Sequence, residues 1–150
     1  MDTFLESHRQ TLEWKCSGLT PEQLKSAVCP PSPLTLLGLL RHMTEVEDYW
    51  FHTVLLGAPD RAIYEGEDCW RVLNRHSVEE VLGRWKEACE ASRRNAASVA
   101  SLDHLSGQPR SWDGETVTLR WILIHMIEEY ARHNGHADFL RERIDGRVGQ

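Results

Sequence analysis

The stretch of residues 118–140 constrains the fold of this chain more than any other part of the sequence. Its apolar residues recur three or four positions apart, as on one face of an amphipathic helix: Ile122, Met126, Tyr130, Ala137 and Leu140. Glu129 and His133 lie in the same face, four positions apart, so their side chains stack on adjacent turns. A carboxylate and an imidazole are costly to bury in an apolar seam unless they are paired or bind a metal. This helix therefore predicts a site as well as a core.

Two earlier helices are predicted from capping signals and apolar stripes. Residues 2–17 form the first, and Thr20-Pro21-Glu22-Gln23 is a capping box that begins a short helical turn. We expect Ser32 to cap the second long helix, with Pro33 at its first position. That helix should end at Leu56, because Gly57 and a proline follow.

The remaining helices are bounded by similar signals. Ser77 begins a helix that should end near Ser101, and Thr118 caps the last one, which runs to about Ile144. Two longer connections, one before each of these helices, at about residues 58–76 and 102–117, carry proline, glycine and turn signals. Four long amphipathic helices with these two loops predict an all-α fold, a four-helix bundle forming a single domain over residues 1–150.

Composition excludes several classes of function. The chain has 150 residues, of which 41% are hydrophobic and 27% charged, as in an ordinary globular protein. Its net charge of −6 and the lack of a basic run argue against nucleic-acid binding. The longest apolar run, residues 34–40, is too short to span a bilayer, and the N-terminus does not resemble a signal peptide. We expect a cytoplasmic protein without membrane partners.

The four cysteines are widely spaced and form no C-x-x-C motif: Cys16, Cys29, Cys69 and Cys89. We interpret them as reduced thiols. Cys16 and Cys89 fall on apolar stripes, so we expect them to be buried as small apolar core residues. Cys29 and Cys69 fall in connections between helices.

A candidate metal site combines the last helix with the second. His42 lies on the apolar stripe of the second helix, and it can meet Glu129 and His133 across a bundle core, where metal sites of bundles are built. Two imidazoles and a carboxylate leave open positions on the metal, which is typical of a catalytic site. Such ligands suit Zn²⁺, Ni²⁺ or Fe²⁺.

The same histidines have plainer interpretations. A single histidine in an apolar stripe, such as His42, is more often a hydrogen-bonded core residue than a ligand; Glu129 favours the metal, because a carboxylate is rarely buried without a partner. His125 and His136 could be ligands, outer partners of the ligands or solvent-facing groups. For His8, on the first helix, we favour a structural role.

Three segments of the chain resemble the DinB/YfiT-like bundle superfamily. They are His125-Met-Ile-Glu-Glu-Tyr-Ala-Arg-His-Asn-Gly-His-Ala-Asp138, Leu39-Leu-Arg-His-Met43 and Trp14-Lys-Cys-Ser-Gly-Leu19. Within the superfamily the chain is similar to the branch of mycothiol-dependent maleylpyruvate isomerases and S-transferases, which carries Glu where many members carry His at position 129. The isomerase has an additional C-terminal domain that helps to form its site, and the given sequence stops at residue 150, so we do not expect isomerase activity from the resemblance.

The resemblance implies a bundle with an up-down-down-up arrangement and metal ligands at His42, Glu129 and His133, which act in catalysis through the metal. It also implies mycothiol as co-substrate, a small electrophile as second substrate, and a homodimer. Among the ions that suit these ligands, we expect zinc, with nickel and iron as the alternatives. The leading hypothesis is a metal-dependent thiol S-transferase. The alternatives are a non-catalytic bundle that binds a metal or small molecule and acts through partners, and a purely structural bundle.

Overall fold

The computed structural model describes residues 2–64, 70, 72 and 75–149. This part of the chain is helical and contains no strand, which confirms the all-α class; Leu105 and Thr118 form an isolated antiparallel bridge. The helices are α1 (Asp2–Cys16), α2 (Pro21–Lys25), α3 (Leu36–Asp48), α4 (Val78–Ser98), α5 (Leu119–Asp145) and a π-helix (Tyr49–Val54) that continues α3.

Several predicted helix ends are confirmed by their capping contacts. The Thr20 hydroxyl and the Gln23 side chain form the reciprocal capping box of α2. Ser77 accepts a hydrogen bond from the Glu80 amide at the start of α4, and Thr118 does the same for Trp121 at the start of α5. At the end of α5, Gly146 adopts φ 79°, the left-handed conformation in which glycine is favoured.

The predicted start of the second long helix is wrong by a few residues. Thr35, rather than Ser32, is the N-cap of α3, and its hydroxyl accepts from the Gly38 amide at 2.9 Å. The Ser32 hydroxyl instead accepts from the amide of Leu34, two residues on, at 3.2 Å. This local turn satisfies the serine without helix formation, as serine hydroxyls often do.

The end of the same helix departs from the prediction in its winding. Residues Tyr49–Val54 form a π-helix, and the Tyr49 amide lies within reach of the carbonyls of both Glu45 and Val46. Trp50 and Phe51, which are adjacent in sequence, are both buried here. The segment packs against both α4 and α5. Its buried residues therefore face two sides, whereas the prediction assumed a single apolar face with α-helical spacing.

Side-chain contacts define the relative directions of the long helices. Asn134 of α5 bonds the His8 carbonyl and Arg141 bonds the Lys15 carbonyl, both across 126 residues, so α1 and α5 run in the same direction. α4 runs in the same direction as α3 and its π-helical continuation, because Cys89 contacts Glu47 and the later Asn95 contacts the later Phe51. α3 opposes α5, since His42 contacts His133 and Trp50 contacts His125.

The connection at 102–117 is attached to the end of the π-helix. The amides of Gly107 and Gln108 donate to the carbonyls of Leu55 and Val54 at 3.0 and 3.1 Å, which satisfies acceptors that a helix end leaves open. A Cβ at position 107 would lie 2.7 Å from the Gly57 amide nitrogen, so this approach requires glycine. The other connection, 58–76, is described only in part, and Cys69 lies outside the described residues.

The core contains the apolar residues predicted for α5. Ile122, Met126, Tyr130, Ala137 and Leu140 are all buried, together with leucines of α1 and α3. Cys16 and Cys89 are buried free thiols, as their positions on the stripes predicted. No helix of the described residues is long and apolar enough to cross a membrane.

A buried carboxylate joins four helices, and periodicity alone did not predict it. Glu47 of α3 is fully buried and accepts from Nε and Nη2 of Arg9 in α1 at 2.8 and 2.7 Å. It also accepts from the Tyr130 hydroxyl of α5 at 2.7 Å, and the Cys89 thiol of α4 lies 3.6 Å away. Trp85 in turn donates to the Tyr130 hydroxyl at 3.0 Å. Every long helix therefore contributes to one hydrogen-bonded cluster.

Removal of this carboxylate should destabilise the fold strongly. We expect Glu47→Ala to lower the free energy of unfolding by about 3–5 kcal/mol, because Arg9 then stays buried without its counter-charge. Urea unfolding followed by circular dichroism measures the change. The matched control is Glu13→Ala, which breaks the exposed Glu13–Lys86 ion pair and should cost below about 1 kcal/mol. Equal losses in the two variants would contradict the role assigned to Glu47.

Candidate metal centre

Two of the three predicted ligands lie on adjacent turns of α5. Glu129 Oε2 and His133 Nε2 are 3.4 Å apart, with side-chain exposures of 14% and 8%. Their burial follows from the helical period, since Met126, Tyr130 and Ala137 on the same side of α5 are buried in the core. The carboxylate thus lies at the edge of the core beside an imidazole.

The third predicted ligand comes from the opposing helix. His42 of α3 places its ring centroid 4.7 Å from that of His133, in an edge-on arrangement. Its other neighbour is Trp70, whose ring stacks on it at 4.2 Å. One ligand atom from each of His42, Glu129 and His133 lies within 4.8 Å of the others, so the structure brings the three predicted residues together.

The electrostatic setting favours neutral imidazoles. Burial, with a smaller contribution from the neighbouring His133, lowers the pKa of His42 to about 4, although Glu129 acts in the opposite direction. Burial also lowers the pKa of His133, against the attraction of Glu129. At neutral pH both rings therefore keep a nitrogen lone pair available, which metal ligation requires.

Two residues of α5 support the ligands from outside. Arg132 Nη1 donates to Glu129 Oε1 at 2.8 Å, which orients the carboxylate. His136 Nδ1 lies 3.3 Å from His133 Nδ1, so one of these rings can donate to the other. Metal-binding histidines commonly use their second nitrogen in this way, and of the roles open to His136 its position fits an outer partner of His133.

The remaining histidines of interest, His125 and His8, are not members of the group of three. His125 is enclosed by aromatic rings, with Trp121 stacked at 4.9 Å and Trp50 edge-on at 4.6 Å, and burial lowers its pKa. Its Nε2 is 3.8 Å from Glu129 Oε1, which makes it a neighbour of the carboxylate. His8 of α1 is half-buried, and its backbone carbonyl accepts from Asn134, in line with a structural role.

A pocket of about 390 Å³ opens beside His42, and sequence reasoning did not identify it. Its walls combine Tyr49 and Trp50 of the π-helix with Asp60 and Arg61 of the following loop. The only signal in the sequence was the length of that loop, which suggested a cover for a site. A roomier pocket, about 610 Å³, lies between α1, α4 and the start of α5 and is lined by none of the three predicted ligands.

The donor set fits a divalent metal. Around zinc, with bonds of about 2.0–2.2 Å, ligand atoms lie roughly 3.3–3.6 Å apart. Glu129 Oε2 and His133 Nε2 have this spacing, at 3.4 Å, and the ligand atom of His42 lies within 4.8 Å of them. Nitrogen and carboxylate oxygen donors suit Zn²⁺, Ni²⁺ and Fe²⁺ alike. Three protein ligands also leave coordination positions for a substrate atom.

Comparison with known proteins adds one finding. No curated protein and no solved structure matches the chain. The model of the Mycothiol-S-transferase family, however, matches residues 1–146, nearly the whole sequence. This match agrees with the resemblance to the mycothiol-related branch of the DinB/YfiT-like superfamily. The chain belongs to the mycothiol-S-transferase family.

Proposed function

We propose that this chain is a metal-dependent S-transferase, in which His42, Glu129 and His133 hold a divalent ion, preferably zinc. Its substrates are a low-molecular-weight thiol, mycothiol in the first place, and a small electrophile. The thiol loses its proton to solvent, its sulfur forms a bond to an electrophilic carbon, and the displaced group leaves with the bonding electron pair. The family match supports the thiol and the class of reaction.

The main observation in favour of a metal site is that three donor side chains from two helices converge. A carboxylate that is 14% exposed and two imidazoles with lowered pKa values lie within 4.8 Å of one another. Removing these polar groups from water costs free energy, and a cation shared by all three would offset that cost. A divalent ion held by these three residues would supply Lewis-acid chemistry, which would lower the pKa of a bound thiol.

Neighbouring side chains hold the three donors in position. Trp70 covers one face of the His42 ring, and His136 holds the outer nitrogen of His133. Arg132 orients Glu129 through its Oε1. These contacts fix the three donors before any ligand arrives, so less ordering is needed on binding.

The fold proposed for this activity is a four-helix bundle with an up-down-down-up arrangement, forming one domain over residues 1–150. The directions of the helices support this arrangement. α1 runs parallel to α5, α3 runs parallel to α4, and α3 runs antiparallel to α5. In such a bundle, inward side chains of facing helices build the metal site.

The first test removes the carboxylate ligand. We expect Glu129→Ala to fold normally but to bind zinc at least tenfold more weakly, since even outer partners of a metal contribute about 10–100-fold in affinity. Metal content after dialysis, with circular dichroism for the fold, measures this. The control is Glu128→Ala, the exposed neighbour that also pairs with Arg132. Unchanged metal content in Glu129→Ala would instead make His125 or His136 the third ligand.

The pKa of His42 predicts how metal-free protein responds to acid. Its folded value of about 4 lies below the ~6.5 of an unperturbed histidine, so between these values the unfolded chain binds the proton and the folded chain does not. This contribution to stability is complete above about pH 6.5 and is lost as the pH falls towards 4.

Urea unfolding of chelator-treated protein from about pH 7 to 4.5 tests this expectation. In His42→Gln, the free energy of unfolding should fall less steeply than in the wild type as the pH is lowered through this range. The control, His104→Gln, changes an exposed histidine and should keep the slope of the wild type. A slope in His42→Gln as steep as in the wild type would refute the assigned cause.

The protein's own cysteines should be dispensable for chemistry. Burial raises the pKa of Cys16 to about 12 and also raises that of Cys89, so both are protonated and poorly nucleophilic at neutral pH. A variant with all four cysteines replaced by Ser or Ala should keep a rate per bound metal close to that of the wild type. His42→Ala should lose nearly all activity.

The measurement is the initial rate of conjugation against thiol concentration, normalised to metal content. Loss of stability in the cysteine-free variant is acceptable, because buried thiols pack as small hydrophobic residues. Loss of turnover with the metal still bound would mean that a protein thiol is the nucleophile.

A further inference from the structure

The two carboxylate oxygens of Glu129 have different neighbours. Oε2 lies 3.4 Å from Nε2 of His133, which is itself a proposed ligand. Oε1 accepts a hydrogen bond of 2.8 Å from Nη1 of Arg132, and it lies 3.8 Å from Nε2 of His125. The side chain of Glu129 is only 14% exposed, so water has limited access to the carboxylate. Protein groups therefore decide what each oxygen can bind.

Two carboxylates hold Arg132 in position. Its Nη1 donates to Glu129, three residues earlier on α5, and its Nη2 donates to Glu128, four residues earlier, at 3.2 Å. Residues at these spacings are neighbours on the surface of a helix, so both contacts follow from the helix itself. Because each η nitrogen has its own acceptor, the guanidinium group is held in place although the side chain is 49% exposed. Arg132 thus places a fixed cation against Oε1 of Glu129.

A cation at Oε1 affects how the carboxylate can bind a second cation. Carboxylates hold metal ions through one oxygen or through both. Two-oxygen binding would bring the metal beside Oε1, where the positive charge of Arg132 would repel it. The metal would also compete with a charge-assisted hydrogen bond for the electron pairs of that oxygen. One-oxygen binding through Oε2 avoids both costs.

We propose that Arg132 is a positioning residue, which confines Glu129 to one-oxygen binding through Oε2 and so keeps the site at three donor atoms from the protein. The inference rests on the metal site of the proposed function and adds a residue outside the ligand group. Three donor atoms leave a position on the metal for a substrate atom, and a second oxygen of Glu129 would compete for that position. The effect concerns coordination rather than stability, since exposed ion pairs stabilise a fold only slightly.

Infrared difference spectra of zinc-loaded against metal-free protein test this inference without turnover. They isolate the carboxylates that respond to the metal, and the separation between the antisymmetric and symmetric stretches is smaller for two-oxygen binding than for one-oxygen binding. The separation should shrink in Arg132→Met, which keeps a long side chain but removes the charge. Arg132→Lys keeps a cation beside Oε1 and should retain the separation of the wild type. Glu129→Gln assigns the bands, which should be absent from its spectrum.

The binding of a probe thiol to cobalt-loaded protein gives a second readout. When 2-mercaptoethanol binds to the cobalt ion, a sulfur-to-metal charge-transfer band appears, and titration of this band yields the Kd of the thiol. In Arg132→Met, Oε1 competes for the same position, so this Kd should rise by about tenfold, the lower end of what outer partners of a metal contribute.

The matched control for both measurements is Arg120→Met. Arg120 is another arginine of α5, its side chain is 47% exposed, and it pairs with the exposed Asp103. Its removal therefore costs the same kind of surface ion pair without a contact to the ligand group. The infrared separation and the Kd of the probe thiol should both stay as in the wild type.

The outcomes separate this inference from the proposed function. An unchanged infrared separation in Arg132→Met with zinc bound would overturn the inference and leave the S-transferase function standing. Loss of zinc binding in Arg132→Met would also overturn it, because the arginine would then be needed to hold the carboxylate rather than to restrict it. A wild type and variants with the expected spectra, but without turnover of any thiol, would overturn the function and support the inference. A wild type that binds no divalent ion would overturn both.

Discussion

The hydrogen bond between Tyr130 and Glu47 holds together the two helices on which the candidate site depends. It is 2.7 Å long and fully buried, and burial together with the Glu47 carboxylate raises the pKa of Tyr130 well above its usual value, so the phenol remains a donor. Tyr130 directly follows Glu129 along α5, and Glu47 lies little more than one turn beyond His42 on α3. A shift of one helix along the other would break this contact and separate the three donors. Such a shift is unfavourable, because a buried carboxylate that loses its hydrogen-bond partners costs free energy.

The same desolvation has opposite effects on the imidazoles and the thiols. It lowers the pKa of His42 and His133, which leaves them neutral and able to bind a metal, and it raises the pKa of Cys16 and Cys89, which leaves them protonated. Burial thus leaves two imidazoles able to bind a metal and two thiols poorly nucleophilic. An S-transferase that activates an external thiol benefits from both effects.

The sequence was most informative where local chemistry decides the structure. The caps at Thr20 and Thr118 follow from side-chain-to-amide bonds within a few residues, and they are predictable for that reason. The start of α3 was missed because Ser32 and Thr35 offer competing local turns, and the π-helix because it packs on two sides. Glu47 sits on an apolar stripe, three residues before Trp50, but its partner Arg9 is 38 residues away, and no local pattern indicates such a pairing.

The antiparallel packing of α3 and α5 explains why similar residues on α5 meet different environments. His125 and His133 are eight residues apart, two turns, and so are Trp50 and His42 on the opposing helix. His42 faces His133, and Trp50 faces His125. An imidazole opposite an imidazole makes a pair of nitrogen donors, whereas an indole opposite an imidazole makes an aromatic wall. The surroundings of His125 and His133 therefore differ because α3 places His42 against one of them and the π-helix places Trp50 against the other, and Glu129 neighbours both.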